Sequence, residues 1–323
     1  MEKPVFDYII CGGGASGLLL LYALSEDPFF SKKDILLIEK ESKNTNDRTW
    51  SFWEKKEGAF EGLLEKKWDT ANFLSSSVSL DFKLAPYQYK MLRSKGFYKT
   101  CHEKIERQKN IQYLSAKITS ITNEGITSKV STNKGFFSSK NVFNSVFDPT
   151  ALYNQKKYPV LKQHFIGWFI KTKLEQFDPN KILFMDFNIE QKKETRFLYV
   201  LPLDSKNALV EYTLFSANLL EKKEYEEGIQ SYLKNQGIIE YEIKEKEQGN
   251  IPMSSFPFDQ FNTSSLLNIG TAGGWTKAST GFTFMNTTRN VSKVVSFLKT
   301  GKSLNRFNIK NRFSFYDLLF LDV

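Results

Sequence analysis

A glycine-rich turn follows a short apolar segment close to the start of this 323-residue chain. Residues 8–11 are apolar and lead directly into Gly-Gly-Gly-Ala-Ser-Gly at 12–17. The G-x-G-x-x-G spacing allows a tight turn, close backbone approach to a pyrophosphate and close packing of helix on strand. The apolar stretch 18–24 predicts the helix whose N-terminal N–H groups would face the phosphates. The turn residues predicted to contact a nucleotide are Gly12, Gly14, Ala15 and Gly17.

The next segment, 34–39, predicts a second buried strand that ends in an acid. Glu39 lies 22 residues after Gly17. A carboxylate at this position can accept hydrogen bonds from both ribose hydroxyls of an adenosine, and it would repel a 2′-phosphate. FAD or NAD is therefore favoured over NADP. A lone glycine motif could belong to a turn in another fold, but the strand, helix, second strand and acid together predict a dinucleotide-binding unit.

Composition limits the class of protein. A chain of 323 residues predicts about two domains, and its 29 Phe could line an apolar substrate cavity or simply fill the core. Cys11 and Cys101 form no paired motif, which indicates a reducing compartment. The start of the chain leaves little room for a leader, and no apolar run reaches the ~20 residues of a spanning helix, so a cytoplasmic protein is expected. His102 and His164 lack partners at metal-ligand spacing, so no metal site is predicted.

Basic residues are concentrated near the C-terminus. The net charge is +9, and residues 277–316 contain eight Lys or Arg, interleaved with Phe, and no Asp or Glu. Such a surface suits anionic lipid headgroups. Nucleic acid binding and a solvated basic face are the alternatives. The apolar run 313–323 has no helix stop signal, so we expect a truncated C-terminus.

The order of the predicted elements indicates an α/β fold: a Rossmann-like dinucleotide-binding domain with an inserted β-rich substrate domain. We assign residues 1–76, 109–160 and 259–300 to the first domain and 77–108 and 161–258 to the second. Residues 301–323 would begin a helical C-terminal region. The aromatic cluster 49–53 is polar at its edges and is predicted to be a loop over a flat ligand.

Several motifs outside the nucleotide unit are specific to one family. They are Asp-Arg-Thr-Trp-Ser-Phe at 47–52, Phe-Met-Asp at 184–186 and Leu-Val-Glu-Tyr-Thr at 209–213. Together with the segments 87–93, 197–202 and 270–284, they extend a match along nearly the whole chain. The chain resembles the bacterial lycopene β-cyclases. This resemblance implies the architecture of FAD-dependent hydroxylase-like and geranylgeranyl-reductase-like proteins.

The resemblance also implies a reaction. Lycopene β-cyclases close the ψ ends of lycopene, through γ-carotene, into the β-rings of β-carotene without net redox change. They depend on reduced FAD, for which NAD(P)H is the usual electron donor. Lycopene and other ψ-end carotenoids would be substrates, and the enzyme would be peripheral on the inner face of the cell membrane, with no nucleic acid expected. The alternatives are an FAD-dependent hydroxylase, halogenase or polyprenyl reductase acting on an apolar substrate, or a flavoprotein that binds RNA through its basic segment.

Cyclisation needs an acid that is protonated, desolvated and aimed at an alkene carbon. By resemblance, Glu211 matches the acid of the family's Glu-x-Thr motif, and its apolar neighbours would raise its pKa. The alternative is an exposed glutamate on a polar strand face. Asp186 lies in the apolar strand 182–187 and could be a second acid or could orient Glu211. Otherwise it caps a turn with Asn188.

Further site residues follow from the resemblance. The segment Gly270, Thr271, Ala272 and Gly273 stands where related flavoproteins carry a Gly-Asp motif against the ribityl chain and pyrophosphate, with Thr271 in place of the Asp. Arg48 is predicted to contact the cofactor. Trp50 and Trp53 could line the flavin or the polyene and stabilise a carbocation through cation–π contacts, although ordinary packing is the alternative. The substrate-binding residues predicted are Trp50, Trp53, Tyr199, Thr213 and Phe282.

Overall fold

The protein is described by a computed structural model that covers residues 5–309 and 312–322. The chain divides into two compact units. Unit 1 comprises Met1–Thr45, Lys95–Pro159 and Ser254–Val323, and unit 2 comprises Asn46–Ser94 and Val160–Met253. Each unit is assembled from segments far apart in sequence, as expected for one domain inserted into another.

The elements follow in chain order. The strands are β1 (Val5–Cys11), β2 (Ile35–Glu39), β3 (Thr49–Glu54), β4 (Leu64–Trp68), β5 (Thr70–Leu74), β6 (Ser79–Lys83), β7 (Gln88–Arg93), β8 (Ile111–Ser115), β9 (Ile118–Asn123), β10 (Ser128–Thr132), β11 (Gly135–Asn144), β12 (Leu161–Thr172), β13 (Lys181–Asp186), β14 (Thr195–Pro202), β15 (Asn207–Ser216), β16 (Tyr241–Met253) and β17 (Leu266–Asn268). The helices are α1 (Ala15–Glu26), α2 (Ser94–Glu106), α3 (Thr150–Asn154), α4 (Lys222–Asn235), α5 (Phe284–Leu298) and α6 (Arg312–Asp322).

Unit 1 is built on a largely parallel sheet. Strands β8, β2, β1, β11 and β17 run parallel, and β9 and β10 continue the sheet as an antiparallel meander on β11. All five residues of β2 are buried, which accounts for its uninterrupted apolar sequence. Helix α1 follows β1 after only three residues, so the glycine turn lies at the carboxyl end of the sheet. The predicted βαβ unit and the Rossmann-like class are confirmed.

Unit 2 contains a seven-stranded sheet in the order β16-β12-β15-β14-β13-β5-β6 and a three-stranded sheet in the order β3-β7-β4. Because side chains alternate along a strand, the large sheet has two different faces. Val210 and Tyr212 of β15 pack with the buried face of α4, around Ile229 and Leu233. The small sheet contacts the opposite face, where the Trp68 indole N–H donates to the Pro202 carbonyl at 3.0 Å.

Some predicted boundaries differ from the structure. The cluster at 49–53 is not a loop, because it forms strand β3 and pairs along its length with β7. Residues 46–76 accordingly lie in unit 2 rather than with the dinucleotide-binding domain, and residues 95–108 lie in unit 1 rather than in the insertion.

The basic C-terminal segment contains two ion pairs that the sequence could not indicate. Lys299 lies 2.5 Å from Asp27, and Lys277 pairs with Asp317 on α6. Part of the local positive charge is therefore neutralised. Lys310, one of the eight basic residues, lies outside the described residues. Across 5–309 and 312–322, we find no helix with the length and hydropathy needed to cross a bilayer.

Candidate active site

The glycine turn of unit 1 brings the start of α1 into close contact with the end of β1. A β-carbon at Gly17 would lie 1.9 Å from the carbonyl oxygen of Gly12, so only glycine allows α1 to start this close to the strand. Gly12 has a φ of +95°, in the left-handed region that favours glycine. Gly14 differs, since a β-carbon there would meet nothing within 4 Å. The turn is thus tightly packed at both ends and open at Gly14.

The start of α1 is suited to an anion. Its first turn carries no acidic residue, and its N-cap, Gly14, supplies no side-chain hydrogen bond. Backbone N–H groups and the positive end of the helix dipole are then left for a phosphate. Glu39 ends β2 beside the turn, where its Oε2 accepts the Gly13 N–H at 2.5 Å and its Oε1 accepts the Glu41 N–H at 2.9 Å. Each carboxylate oxygen can accept a second hydrogen bond, so ribose hydroxyls could still bind it.

A second glycine-containing turn packs against the start of α1. Gly270 has a φ of +60°, and a β-carbon there would lie 2.0 Å from the hydroxyl oxygen of Ser16. Thr271, which replaces the expected aspartate, lies with its hydroxyl 3.3 Å from that of Thr276. A β-carbon at Gly273 would lie 2.2 Å from the Asn268 carbonyl oxygen. The predicted cofactor residues 12–17, 39 and 270–273 therefore form one cluster in unit 1, and their arrangement fits a dinucleotide.

The acid predicted from the family motif is in unit 2, in the middle of the large sheet. Glu211 lies on β15, paired with Gly167 of β12 on one side and Tyr199 of β14 on the other. It is only 8% exposed. Thr213, two residues along the same strand face, donates its hydroxyl to Glu211 Oε1 at 2.7 Å. Glu211 thus faces away from α4, on the side of the small sheet.

Burial keeps the Glu211 side chain protonated. Desolvation raises the pKa of Glu211 to about 8, with a further contribution from the negative charge of Glu247, and the hydrogen bond from Thr213 partly opposes the rise. A carboxyl group with a pKa in this range holds its proton at neutral pH. It can therefore serve as a general acid.

Four aromatic side chains lie together on the same side of the sheet, and we call them the aromatic group: Trp53, Tyr89, Phe184 and Tyr199. The ring of Trp53 lies 4.6 Å from that of Tyr89 and 5.2 Å from that of Phe184, centroid to centroid. The Tyr199 ring is 6.0 Å from Tyr89 and 5.9 Å from Phe184, and the two tyrosine hydroxyls are hydrogen-bonded.

The aromatic group adjoins the acid. Tyr199 is the cross-strand partner of Glu211. Burial raises the pKa of Tyr89 well above its ordinary value, and Glu211 raises it further once it is ionised. Tyr89 is therefore a neutral ring with a hydroxyl group. Aromatic faces attract cations. A protonated acid beside several such faces can deliver a proton to an apolar substrate and stabilise the resulting positive charge.

A sequence profile described as "Lycopene cyclase protein" matches residues 7–312 of the chain. The chain belongs to the lycopene cyclase family. This match covers both units, including the glycine turn and the strand that carries Glu211. A comparison with curated protein sequences gave no significant match.

Three solved structures similar to this lycopene cyclase family member are a reductase-like protein, a flavin-dependent brominase and a monooxygenase. A geranylgeranyl bacteriochlorophyll reductase-like protein from Thermoplasma acidophilum matches with a TM-score of 0.69 and 12% identity over 99% of this chain and 88% of its own. A flavin-dependent brominase matches with a TM-score of 0.68 and 13% identity, over 98% and 83% of the two chains. A p-nitrophenol 4-monooxygenase from Pseudomonas putida matches with a TM-score of 0.64 and 12% identity, over 94% of this chain and 82% of its own. These similarities confirm the predicted fold class.

The structure does not bring Asp186 to Glu211. Strand β13 is irregular between Leu183 and Asp186, which turns Phe184 toward the aromatic group and Asp186 toward α4. The Asp186 carboxylate accepts the Asn188 N–H at 2.8 Å and a hydrogen bond from Tyr232 of α4, while burial raises its pKa. These contacts correspond to the turn-capping alternative and give no support to a second catalytic acid.

The structure places three other predicted site residues within their own units. Trp50 is on the opposite face of β3 from Trp53, since it lies three positions before Trp53 along the strand. Arg48 belongs to unit 2, where its backbone N–H donates to Ser94 Oγ at 3.1 Å and its positive charge acts on Glu247. Phe282 belongs to unit 1, where its carbonyl accepts the Lys277 N–H at 2.9 Å. Trp53, Tyr199 and Thr213 are the predicted substrate residues that the structure places with Glu211.

Sequence reasoning missed three of the residues around Glu211. Tyr89 and Phe184 were seen only as parts of family motifs, and Glu247 was not considered. A signal existed for Glu247, because it lies in β16, where Lys and Glu alternate from 244 to 247 and which pairs with β12. The alternating residues Lys244, Lys246 and Gln248 are exposed, which places Glu247 on the inner side.

The buried Glu211 should cost stability at neutral and higher pH. Its pKa is raised on folding from 4.5 to about 8, so the folded state holds a proton that the unfolded chain releases. The contribution of Glu211 to stability is therefore fully present below pH 4.5 and is lost as the pH rises through about 8. Glu211→Gln removes this cost, so at pH 7 it should raise the free energy of unfolding by roughly 3 kcal/mol, at about 1.4 kcal/mol per pH unit of pKa shift.

Thermal unfolding of the wild type and Glu211→Gln between pH 5 and 8 checks this prediction. The variant should gain Tm relative to wild type as the pH rises. Glu175→Gln, an exposed carboxylate-to-amide change in the same unit, is the control and should show no such trend. A constant difference between wild type and Glu211→Gln would contradict a raised pKa.

Proposed function

We propose that this protein is a lycopene β-cyclase that converts ψ ends to β-rings by acid-initiated cyclisation. The observation that carries the proposal is the buried, protonated Glu211 beside the aromatic group. Membership of the lycopene cyclase family supports the substrate class. The reaction needs no net transfer of electrons, and an acid in an apolar, aromatic surrounding is the chemistry that it requires.

In the proposed mechanism Glu211 donates its proton to the terminal alkene carbon of a ψ end. The resulting tertiary carbocation is attacked by the neighbouring double bond, which closes the ring. The faces of Trp53, Tyr89, Phe184 and Tyr199 stabilise the positive charge and exclude water. Loss of a proton from a carbon next to the ring cation leaves the β-ring double bond. Glu211, now ionised, can take that proton back.

The cofactor of the proposed enzyme is FAD, bound in unit 1. Residues 12–17 would hold the pyrophosphate, Glu39 the adenosine ribose, and the turn at 270–273 the adjoining chain of the cofactor. The similarity to flavin-dependent structures supports this assignment. In the lycopene cyclases FAD acts in its reduced form without net consumption of electrons, and NAD(P)H would reduce it.

Lycopene resides in membranes, so the proposed enzyme is peripheral on the inner face of the cell membrane. Two features of unit 1 support this location. The segment that follows residue 276 is rich in Lys and Arg, which attract anionic headgroups. Helix α6 exposes several large apolar side chains: Phe315, Tyr316, Leu319 and Phe320.

Expression in a bacterium that accumulates lycopene tests the proposal directly. Pigment chromatography should show β-carotene or γ-carotene in place of lycopene. Unchanged lycopene beside a soluble, FAD-loaded protein would reject the cyclase assignment. The same strain expressing Glu211→Gln is the matched control, because it should make equal protein and no cyclic product.

The alternative is an FAD-dependent oxidoreductase acting on an apolar substrate. The specific observation in its favour is the fold, which is similar to that of a brominase, a monooxygenase and a reductase-like protein. The two functions differ in electron balance. An oxidoreductase consumes NAD(P)H in proportion to product, whereas the cyclase needs only enough donor to reduce its flavin.

A further inference from the structure

Two glutamates approach each other across a glycine in the large sheet of unit 2. Gly167 on β12 pairs with Glu211 of β15 on one side and with Glu247 of β16 on the other. The three residues therefore lie side by side on the same face. A β-carbon at Gly167 would lie 3.5 Å from the Glu211 β-carbon and 3.3 Å from the Glu247 γ-carbon. Because Gly167 has no side chain, Leu209 Cδ1 and the Glu247 side chain occupy the space where one would be, and the charge of Glu247 acts on Glu211.

The surroundings of the two carboxyl groups are unequal. Glu247 Oε2 accepts the Thr49 hydroxyl at 2.6 Å, and the positive charges of Arg93 and Arg48 both act on it. Glu211 has only Thr213 as a hydrogen-bond partner among the described contacts, and no cation among the groups that shift its pKa. When the two carboxyl groups hold one proton between them, Glu211 therefore carries the proton and Glu247 carries the negative charge.

The remaining charged groups that face Glu247 agree with this division. Arg93 is held in place by Glu245, whose Oε1 is 2.5 Å from Arg93 Nη2, and by the ring of Phe169, 4.0 Å below its guanidinium. Glu245 adds a negative charge that opposes ionisation of Glu247, and so does burial, which raises its pKa. Tyr89 remains neutral and contributes no charge.

We propose that Glu247 is a positioning residue of this site, holding the negative charge of the glutamate pair across Gly167 and thereby keeping Glu211 protonated. Its consequence for catalysis rests on the proposed cyclase function. The pairing itself depends only on the geometry of the sheet. Gly167 has a role in it, because any side chain there would separate the two acids.

The titration of Glu211 gives a readout that is independent of cyclisation. The infrared band of a protonated carboxyl group that disappears in Glu211→Gln reports this residue. In Glu247→Gln, its midpoint should move to lower pH by about one unit, a tenfold loss of proton affinity. Glu247→Asp keeps the charge and should restore much of the wild-type midpoint. Glu242→Gln, an exposed change on the same strand, is the control and should leave it unchanged.

Two further measurements use the pH dependence of activity and the variant Gly167→Ala. If lycopene is cyclised, the high-pH limb of kcat in Glu247→Gln should shift to lower pH together with the infrared midpoint. Gly167→Ala should shift both in the same direction, because its methyl group would displace Glu247 and Leu209, whose Cδ1 would be 2.9 Å away.

An unchanged Glu211 midpoint in folded Glu247→Gln would overturn the inference. If the Glu211 midpoint shifts in Glu247→Gln but the wild-type protein leaves lycopene unconverted, the glutamate pair is upheld and the cyclase function is rejected. If Gly167→Ala fails to fold, Glu247→Gln alone tests the inference, because its side chain has nearly the same size as the original.

Discussion

Glu211→Gln should reduce ring formation by roughly 10²–10⁴-fold or more, the range that general acids contribute. The amide has the shape of the protonated carboxyl group and can keep the hydrogen bond with Thr213. It cannot transfer a proton to an alkene carbon, and no second acid in the described cluster is as deeply buried on that face. FAD binding should be unaffected, since Glu211 lies in unit 2.

The measurement is single-turnover conversion of lycopene in detergent or liposomes, together with the flavin absorbance of the purified variant. Asp186→Asn is the matched control, because it changes an equally buried acid on the α4 face of the same sheet. It should lose some stability and keep ring formation. Full activity in Glu211→Gln would remove this residue from the mechanism, and a loss of activity in Asp186→Asn as large as that in Glu211→Gln would restore the second-acid hypothesis.

The sequence predicted those parts of the fold that depend on local pattern. The buried strands β1 and β2, the apolar helix between them and the glycine turn are adjacent in the chain, so their spacing alone indicates how they pack. The segment 49–53 was misassigned for the opposite reason. Its pairing partner, β7, lies about 40 residues away, and its polar edge residues face a buried site rather than solvent.

The site was predictable only in part. Glu211 stands within an apolar strand and matches a family motif, and these two signals agree. Phe184 and Asp186 share one face in an ideal strand, and only the irregularity in β13 separates them. The approach of Glu247 to Glu211 depends on two inter-strand registers and on the absent side chain of Gly167. Such long-range registers cannot be derived from spacing along the chain.

Gly17→Ala should abolish FAD binding, because the methyl group would overlap the Gly12 carbonyl, 1.9 Å from its β-carbon. Nothing flexible can move aside, since the contact is with backbone. We expect helix α1 to shift away from β1, with a lower Tm and loss of flavin from the purified protein. Flavin fluorescence after denaturation and a thermal scan of the apoprotein measure the two effects.

Gly14→Ala is the matched control, because it makes the same chemical change three residues earlier in an open position. Its φ of −77° suits any residue, and its β-carbon would have no neighbour within 4 Å. The apoprotein should therefore keep its wild-type Tm. If a pyrophosphate lies against this part of the turn, the added methyl group should still weaken FAD binding. Loss of flavin with unchanged apoprotein stability would locate the cofactor at Gly14, whereas unchanged flavin content would show that the phosphates lie elsewhere.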